Sequence, residues 1–138
     1  MMRPLTIKSF DLIQEHYFPD EWKMMICCML LNQTTREQVD KVVDEFFDKW
    51  PDPETCSYAN PLEIAEVLKS LGFKNKRSEA IIKMSHEWIS KDWKEVKELH
   101  GLGQYAQDCY DMLVKGIYIE NPSDHALKNY SLWMKENK

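Results

Sequence analysis

Leu99-His100-Gly101-Leu102-Gly103-Gln104-Tyr105-Ala106 is the stretch on which the reading of the fold turns. A short helical pattern, Asp92 to Glu98, precedes it, and another, Gln104 to about Val114, follows. Two of the chain's four glycines stand between them. Glycine tolerates positive φ and lets a partner approach the backbone closely. A turn of this kind aims successive N–H groups outward, and the next helix adds the free donors of its first turn. Together they form a small anion cradle suited to a phosphate, at His100, Gly101, Gly103 and Gln104. A tight helical corner with no ligand explains the same pattern, because a short Gly-x-Gly is a weak signal alone.

The bulk numbers bound what this corner can belong to. A chain of 138 residues, 43% hydrophobic, is one domain with a real core. The longest apolar run, Met24 to Leu31, is far shorter than a membrane span, and the start lacks a signal-peptide core, so no membrane association is expected. The cysteines are Cys27, Cys28, Cys56 and Cys109, with no Cys-x-x-Cys. That spacing argues against a zinc or iron–sulfur site and for a reducing, intracellular setting. The net charge of −5 disfavours nucleic acid, but its distribution is uneven. Residues 1–70 carry 7 basic and 13 acidic side chains, residues 71–138 carry 11 and 10. Lys74, Lys76, Arg77, Lys83, Lys91, Lys94 and Lys97 precede the glycine turn, so a DNA face belongs there. The plain alternative is an ordinary solvated surface.

Helical signals run the whole length. Ile7 to His16 reads as a short helix with Phe10, Ile13 and Leu12 inward and Gln14 beside them, at the edge of a cavity. Pro19-Asp20 opens a helix to about Leu31, apolar nearly all round, the mark of a buried central helix. It ends in Asn32-Gln33-Thr34. Thr34 and Glu37 read as a capping box for a helix with Val39, Val42, Val43, Phe46, Phe47 and Trp50 at helical spacing. Pro51 to Pro53 stop it, and a brief segment, Glu54 to Ala59, follows. Asn60-Pro61 starts a helix to Ser70 and Leu71, closed by Gly72. Phe73 stands just beyond. Asn75 to Ile89 is the longest pattern, with Ala80, Ile81, Met84, Trp88 and Ile89 inward. Asp92 and Glu95 cap the helix into the glycine turn; Ala106, Cys109, Tyr110 and Leu113 form an inward stripe after it. Ile117 to Glu120 reads as a linker, and Asn121-Pro122-Ser123-Asp124 begins a last helix with Leu127, Tyr130, Leu132 and Trp133. The expectation is an all-α fold of about eight to ten short helices in one domain, 1–138, with the helix–hairpin–helix element at about 92–114.

Asp124 is the acid best placed for chemistry, at a helix start soon after the glycine-turn helix ends. Taken alone it reads equally as a helix cap, although Ser123 can fill that role and leave Asp124 free. His100 lies inside the turn and His125 follows the acid; either suits a phosphate contact, and no pair of histidines has metal-ligand spacing.

Taken together, these pieces resemble the helix–hairpin–helix DNA glycosylase superfamily. Within it they are most similar to the glycosylase domain of methyl-CpG-binding-domain thymine glycosylases. The resemblance covers about Phe10 to Trp133. It rests on Leu12-Ile13-Gln14-Glu15, Trp22-Lys23, Leu31-Asn32-Gln33-Thr34, Leu71-Gly72-Phe73, Glu98 to Tyr105, and Asp124-His125-Ala126-Leu127. The methyl-CpG-binding module has no counterpart here.

The resemblance implies a cleft between two helical lobes, with Asp124 as the catalytic aspartate. Gln14 and Tyr105 would form the base pocket, and Gln33 and Phe73 would enter the duplex. His100, Gly101, Gly103, Gln104, Lys76, Arg77 and His125 would meet phosphates. Bifunctional members carry a lysine nucleophile at the position of Tyr105; tyrosine cannot form a Schiff base, so no lyase activity is expected. Gln14 offers the donor and acceptor that suit the edge of thymine or uracil, where the bland reading is a helix-surface amide. Gln33 departs from the thymine glycosylases, which have an arginine there, and resembles the glutamine of the endonuclease-III-like branch. Phe73 stands where they have a leucine wedge; its bland reading is a core staple. No side-chain metal site, iron–sulfur cluster or cofactor is implied, although such hairpins can hold Na⁺ or K⁺ on backbone carbonyls. The expected function is a monomeric, monofunctional mismatch glycosylase that flips thymine or uracil, mainly opposite guanine, out of double-stranded DNA and leaves an abasic site. The alternatives are a glycosylase for other damaged or mispaired bases, a non-catalytic helix–hairpin–helix DNA-binding module, and a plain helical interaction domain.

Overall fold

The apolar run Met24 to Leu31 becomes the centre of the molecule. In the computed structural model, which describes residues 12–120, 122 and 125–136, it fills most of α2 (Glu21–Leu30). The side chains of residues 125, 126, 128–130 and 133 lie outside that description. Met24, Met25, Ile26, Cys27 and Leu30 are wholly buried, as an all-round apolar helix must be. α2 packs against α1 (Ile13–Tyr17), α3 (Arg36–Lys49), α6 (Lys74–Ser90) and α7 (Gln104–Cys109). Truncating a side chain in such a core to alanine typically costs about 2–5 kcal/mol.

Local chemistry sets the remaining boundaries. Asp20 caps α2 by accepting from the Lys23 N–H at 3.0 Å. Asp52 caps α4 (Pro53–Ser57) and Asn60 caps α5 (Pro61–Leu68), each followed by a proline in the first turn. A 3₁₀ turn, Lys69–Leu71, and Gly72 at φ 79° close α5. α4 and α5 both pack on α6. α8 (His125–Glu136) buries Leu127 and Met134, and Ser131 Oγ donates to the Ile119 carbonyl of the preceding linker. The described architecture is all-helical, with eight α-helices.

Three expectations need correction. The capping box lies one residue later, at Thr35 and Gln38. Thr34 is not available for it, because its hydroxyl donates to the Leu30 carbonyl at 2.6 Å and closes α2 instead. Asp92 to Glu98 is helical only as a 3₁₀ turn over Val96–Glu98. There the Glu98 carboxylate accepts from the Glu95 and Lys94 N–H groups at 2.8 and 3.2 Å. Ile89, expected inward, points outward and is 42% exposed. The helix over Ile7 to His16 is described only from Ile13, and Ile7 and Phe10 lie outside the described residues, as do the side chains of Tyr130 and Trp133.

All four thiols are reduced and buried. Burial, and then the neighbouring Cys28, push the Cys27 thiol well above its usual range. Burial pushes Cys56 up to about 11, against a lowering hydrogen bond with Ser85. The thiolate is the reactive form, so native protein at pH 8 should resist iodoacetamide, while denatured protein exposes every cysteine. The folded values lie above the unfolded ones, so the neutral thiols favour the fold fully below about pH 8.5. That contribution is lost as pH rises toward about 11. The urea midpoint should fall across this window; a flat midpoint would contradict the burial argument.

Candidate nucleic-acid interface

The site forms where α2 ends. After Leu30 the chain turns through Asn32 and Gln33, and Gln33 takes φ 60°. The only other described non-glycine residue with positive φ is Phe73, at φ 50°, which precedes α6. A bulky side chain in that region is strained by about 1–3 kcal/mol, and such strain concentrates at functional positions. Gln33 and Phe73 are both exposed, Phe73 to 64%. A phenyl ring so placed is no core staple. Each of the two residues proposed from the sequence to enter a duplex is thus presented outward by an unusual backbone.

Asn32 and Gln33 form a ridge between two cavities. The first, about 430 Å³, is lined by Leu12, Gln14, Cys28, Arg36 and Tyr105 among others. Gln14 is wholly buried, which removes its reading as a surface amide. Its Nε2 donates to Tyr105 Oη at 2.6 Å and lies 3.4 Å from Cys28 Sγ. Its Oε1 is buried with no hydrogen-bond partner among the described residues. Leaving a buried acceptor unsatisfied costs about 1–3 kcal/mol, and such a group calls for an explanation. Among the described residues, no lysine lines this cavity.

The second cavity, about 320 Å³, lies between Gln33 and Phe73 and is also lined by Met29, Lys76, Arg77, Ala80 and Gly101. Lys76 is exposed at its margin. Arg77 is not free for a phosphate, which corrects the sequence expectation. It is 8% exposed. Its Nε donates to the Gly72 carbonyl at 2.8 Å, Nη1 to Met29 at 3.3 Å, and Nη2 to Asn32 at 2.8 Å and Leu71 at 3.2 Å. Burial lowers its pKa, but a guanidinium remains charged. Lys74, Lys76 and Arg77 occupy the first turn of α6 with no acid among them, the unfavourable end of the helix dipole for cations. An outside anion would relieve the two exposed lysines.

The hairpin reaches the same surface. Gly101 has φ 80°, which favours glycine; a Cβ there would meet the Met29 Cε at 2.7 Å, the mobile end of a flexible side chain that can give way. Gly103 is different: its φ of −113° is open to any residue, and nothing lies within 4 Å of a Cβ there. It is the N-cap of α7 and, being glycine, supplies no side-chain cap. The Gln104 side chain turns back to Asp108 at 2.7 Å, leaving its backbone N–H as its contribution to a cradle. The His100 N–H is already taken by Glu87 Oε1 at 2.8 Å, so only its exposed imidazole can meet a phosphate. The Leu99 and Gly103 carbonyls accept one N–H each, from Leu102 and Gln107, and retain a lone pair of the kind an alkali cation takes. No cluster of His, Cys, Asp or Glu suited to a metal occurs among the described residues, and no described helix is long and apolar enough to cross a membrane.

Asp124 and the His125 side chain lie outside the described residues; His125 itself opens α8. The structure adds residues the sequence did not single out: Met29, Asn32 and Cys28 as cavity walls, Glu87 as the hairpin's anchor, and Gln107. The buried Gln107 side chain accepts from the Lys97 N–H at 3.0 Å and donates to Asp111 at 2.9 Å, tying the two arms of the hairpin. Only helical register signals these positions, since their contacts are long-range.

A helical hairpin beside a ridge flanked by two cavities defines a helix–hairpin–helix class of DNA-repair fold. Residues 26–132 match the HhH-GPD superfamily of base excision DNA repair proteins, and the chain belongs to that superfamily. It is 35% identical over 121 residues to a methyl-CpG-binding domain protein 4-like protein of Arabidopsis thaliana, covering 87% of this chain and 27% of that protein. It is 28% identical over 93 residues to a thymine-DNA glycosylase of Aeropyrum pernix, covering 62% of this chain and 42% of that one. The chain thus spans less than half the length of these relatives. Among solved structures, a thermostable thymine-DNA glycosylase superposes with a TM-score of 0.69 at 25% identity over 82% of this chain and 58% of that one. A trapped endonuclease III–DNA covalent intermediate gives 0.68 at 20% identity over 95% of this chain and 68% of that one, a likeness of fold.

Proposed function

We propose that the chain is a monofunctional DNA glycosylase acting on thymine or uracil, mainly opposite guanine, in duplex DNA. The observation that carries this reading is the buried, unpartnered Gln14 Oε1 in the cavity it shares with Tyr105. Cavities of roughly 300–1,000 Å³ take small ligands, so one flipped base fits. An acceptor there pairs with N3–H of thymine or uracil; cytosine has an acceptor at N3 and meets it unfavourably. The names carried by the relatives point to the same substrates.

Flipping leaves a gap in the stack that Gln33 fills, while Phe73 presses on the other strand. The α7 N-terminus, with Gly101 and Gly103, takes an adjoining phosphate, and Lys76, His100 and His125 supply further phosphate contacts. Asp124 faces the sugar. As the C1′–N1 bond breaks, its electron pair leaves with the base and positive charge grows on the deoxyribose. The carboxylate stabilises that charge and orients the water that bonds to C1′. The water's proton passes by way of the carboxylate toward the departing base, giving a free base and an abasic site. Tyr105 and a cavity wall with no lysine among the described residues provide no amine for strand scission. The protein acts on double-stranded DNA as a monomer.

A denaturing gel of duplexes holding G·T, G·U, A·U and undamaged pairs tests this. Strand breaks should appear at G·T and G·U only after alkali. Breaks without alkali would refute the monofunctional assignment, and none in either lane would refute the glycosylase.

A further inference from the structure

Gln33 and Phe73 lie on separate segments, yet one side chain holds both. Each of the four carbonyls that Arg77 binds belongs to the turn ending α2 (Met29, Asn32) or the turn ending α5 (Leu71, Gly72). Asn32 immediately precedes Gln33, and Gly72 immediately precedes Phe73. The two shortest of these bonds, both 2.8 Å, go to those two residues. Main-chain carbonyls ending two helical turns present the negative ends of their dipoles, which is what a buried guanidinium without a carboxylate needs. No acidic partner of Arg77 is found among the described residues. Its planar fork reaches several acceptors in fixed directions, which an ammonium cannot do.

We propose that Arg77 is a positioning residue that locks the Gln33 and Phe73 turns to each other, so that the two insert into DNA as one rigid unit across the cavity between them. This rests on the reading that both residues enter the duplex, but its physical core does not: the two turns should open together in the free protein. The amides that report this are Asn32 and Thr34 on one turn, bonded to Met29 and Leu31 carbonyls at 3.3 Å, and Gly72 on the other, bonded to Lys69 at 3.3 Å.

The test compares wild type with Arg77→Lys and Arg77→Met in two measurements. In native-state hydrogen exchange of the DNA-free protein, both variants should accelerate Asn32, Thr34 and Gly72 together by about 10-fold or more, while α3 amides are unchanged. In single-turnover base release, Arg77→Lys should slow a G·U duplex by about 10-fold or more but single-stranded uracil by less than about 3-fold, since an unstacked base needs no insertion. Acceleration confined to one turn, or none, overturns the coupling. Equal loss on duplex and single strand overturns the positioning role. Should wild type release no base at all, the glycosylase reading fails while the exchange result still decides the coupling. Should Arg77→Met not fold, wild type decides: unequal opening free energies for Thr34 and Gly72 would overturn the proposal.

Discussion

Replacing Asp124 with asparagine is expected to slow single-turnover base release from a G·U duplex by about 10³-fold, with duplex binding kept within a few-fold. The magnitude follows from one charge. A carboxylate about 4 Å from a developing cation contributes about 4 kcal/mol at an effective dielectric near 20, and each 1.36 kcal/mol or so is a factor of ten in rate. Asparagine removes the charge but is as good a helix N-cap as aspartate, so any capping role at the start of α8 survives. The substitution therefore separates the two readings of this residue. A loss of base release with an unchanged melting temperature assigns the charge to chemistry. Activity within a few-fold of wild type would make Asp124 a cap and no more.

Gln14→Leu is the second large effect, and it has opposite signs on activity and stability. Leucine has a similar volume and no acceptor. It removes Oε1, which is buried without a partner, and with it a penalty of about 1–3 kcal/mol. It also removes the 2.6 Å bond to Tyr105, which is worth about 1 kcal/mol. The urea midpoint should hold or rise. Release of uracil should fall about 100-fold, because the pyrimidine edge loses its partner in a dry pocket. A variant that is destabilised yet fully active would mean that Gln14 is a structural amide and that the base docks elsewhere.

Most helices were legible because their signals are local. The apolar run of α2, the Asn60-Pro61 start and Gly72 as a stop each act within a few residues. Where a local signal had two claimants, the sequence reading slipped. Thr34 and Thr35 both suit a cap, and only the bond from Thr34 to Leu30 shows which one is spent elsewhere. Arg77 reads as one of a cluster of surface cations. It nevertheless shares the helical register of Ile81 and Met84, both buried, and that register carried the clue that it turns inward.

The pocket was out of reach of periodicity. Gln14 and Tyr105 are 91 positions apart, and only the family resemblance brought them together in advance. The positive φ angles of Gln33 and Phe73 were equally hidden, because neither residue is a type that favours them. In the hairpin the glycine pair was half understood. Gly101 is explained by its positive φ, whereas nothing in the fold constrains Gly103; in the proposed complex that open space is where a DNA backbone would come close. The carboxylate of Glu87 on the His100 N–H is a contact no motif announces.

A crystal structure of the Asp124→Asn protein on a G·U duplex tests the central claim most directly. The account requires the uracil extruded, its edge on Gln14 beside Tyr105, and the residue 124 side chain within about 4 Å of the deoxyribose C1′, the separation at which one charge supplies the expected effect. A stacked uracil, or a residue 124 side chain turned away from the sugar, would contradict it.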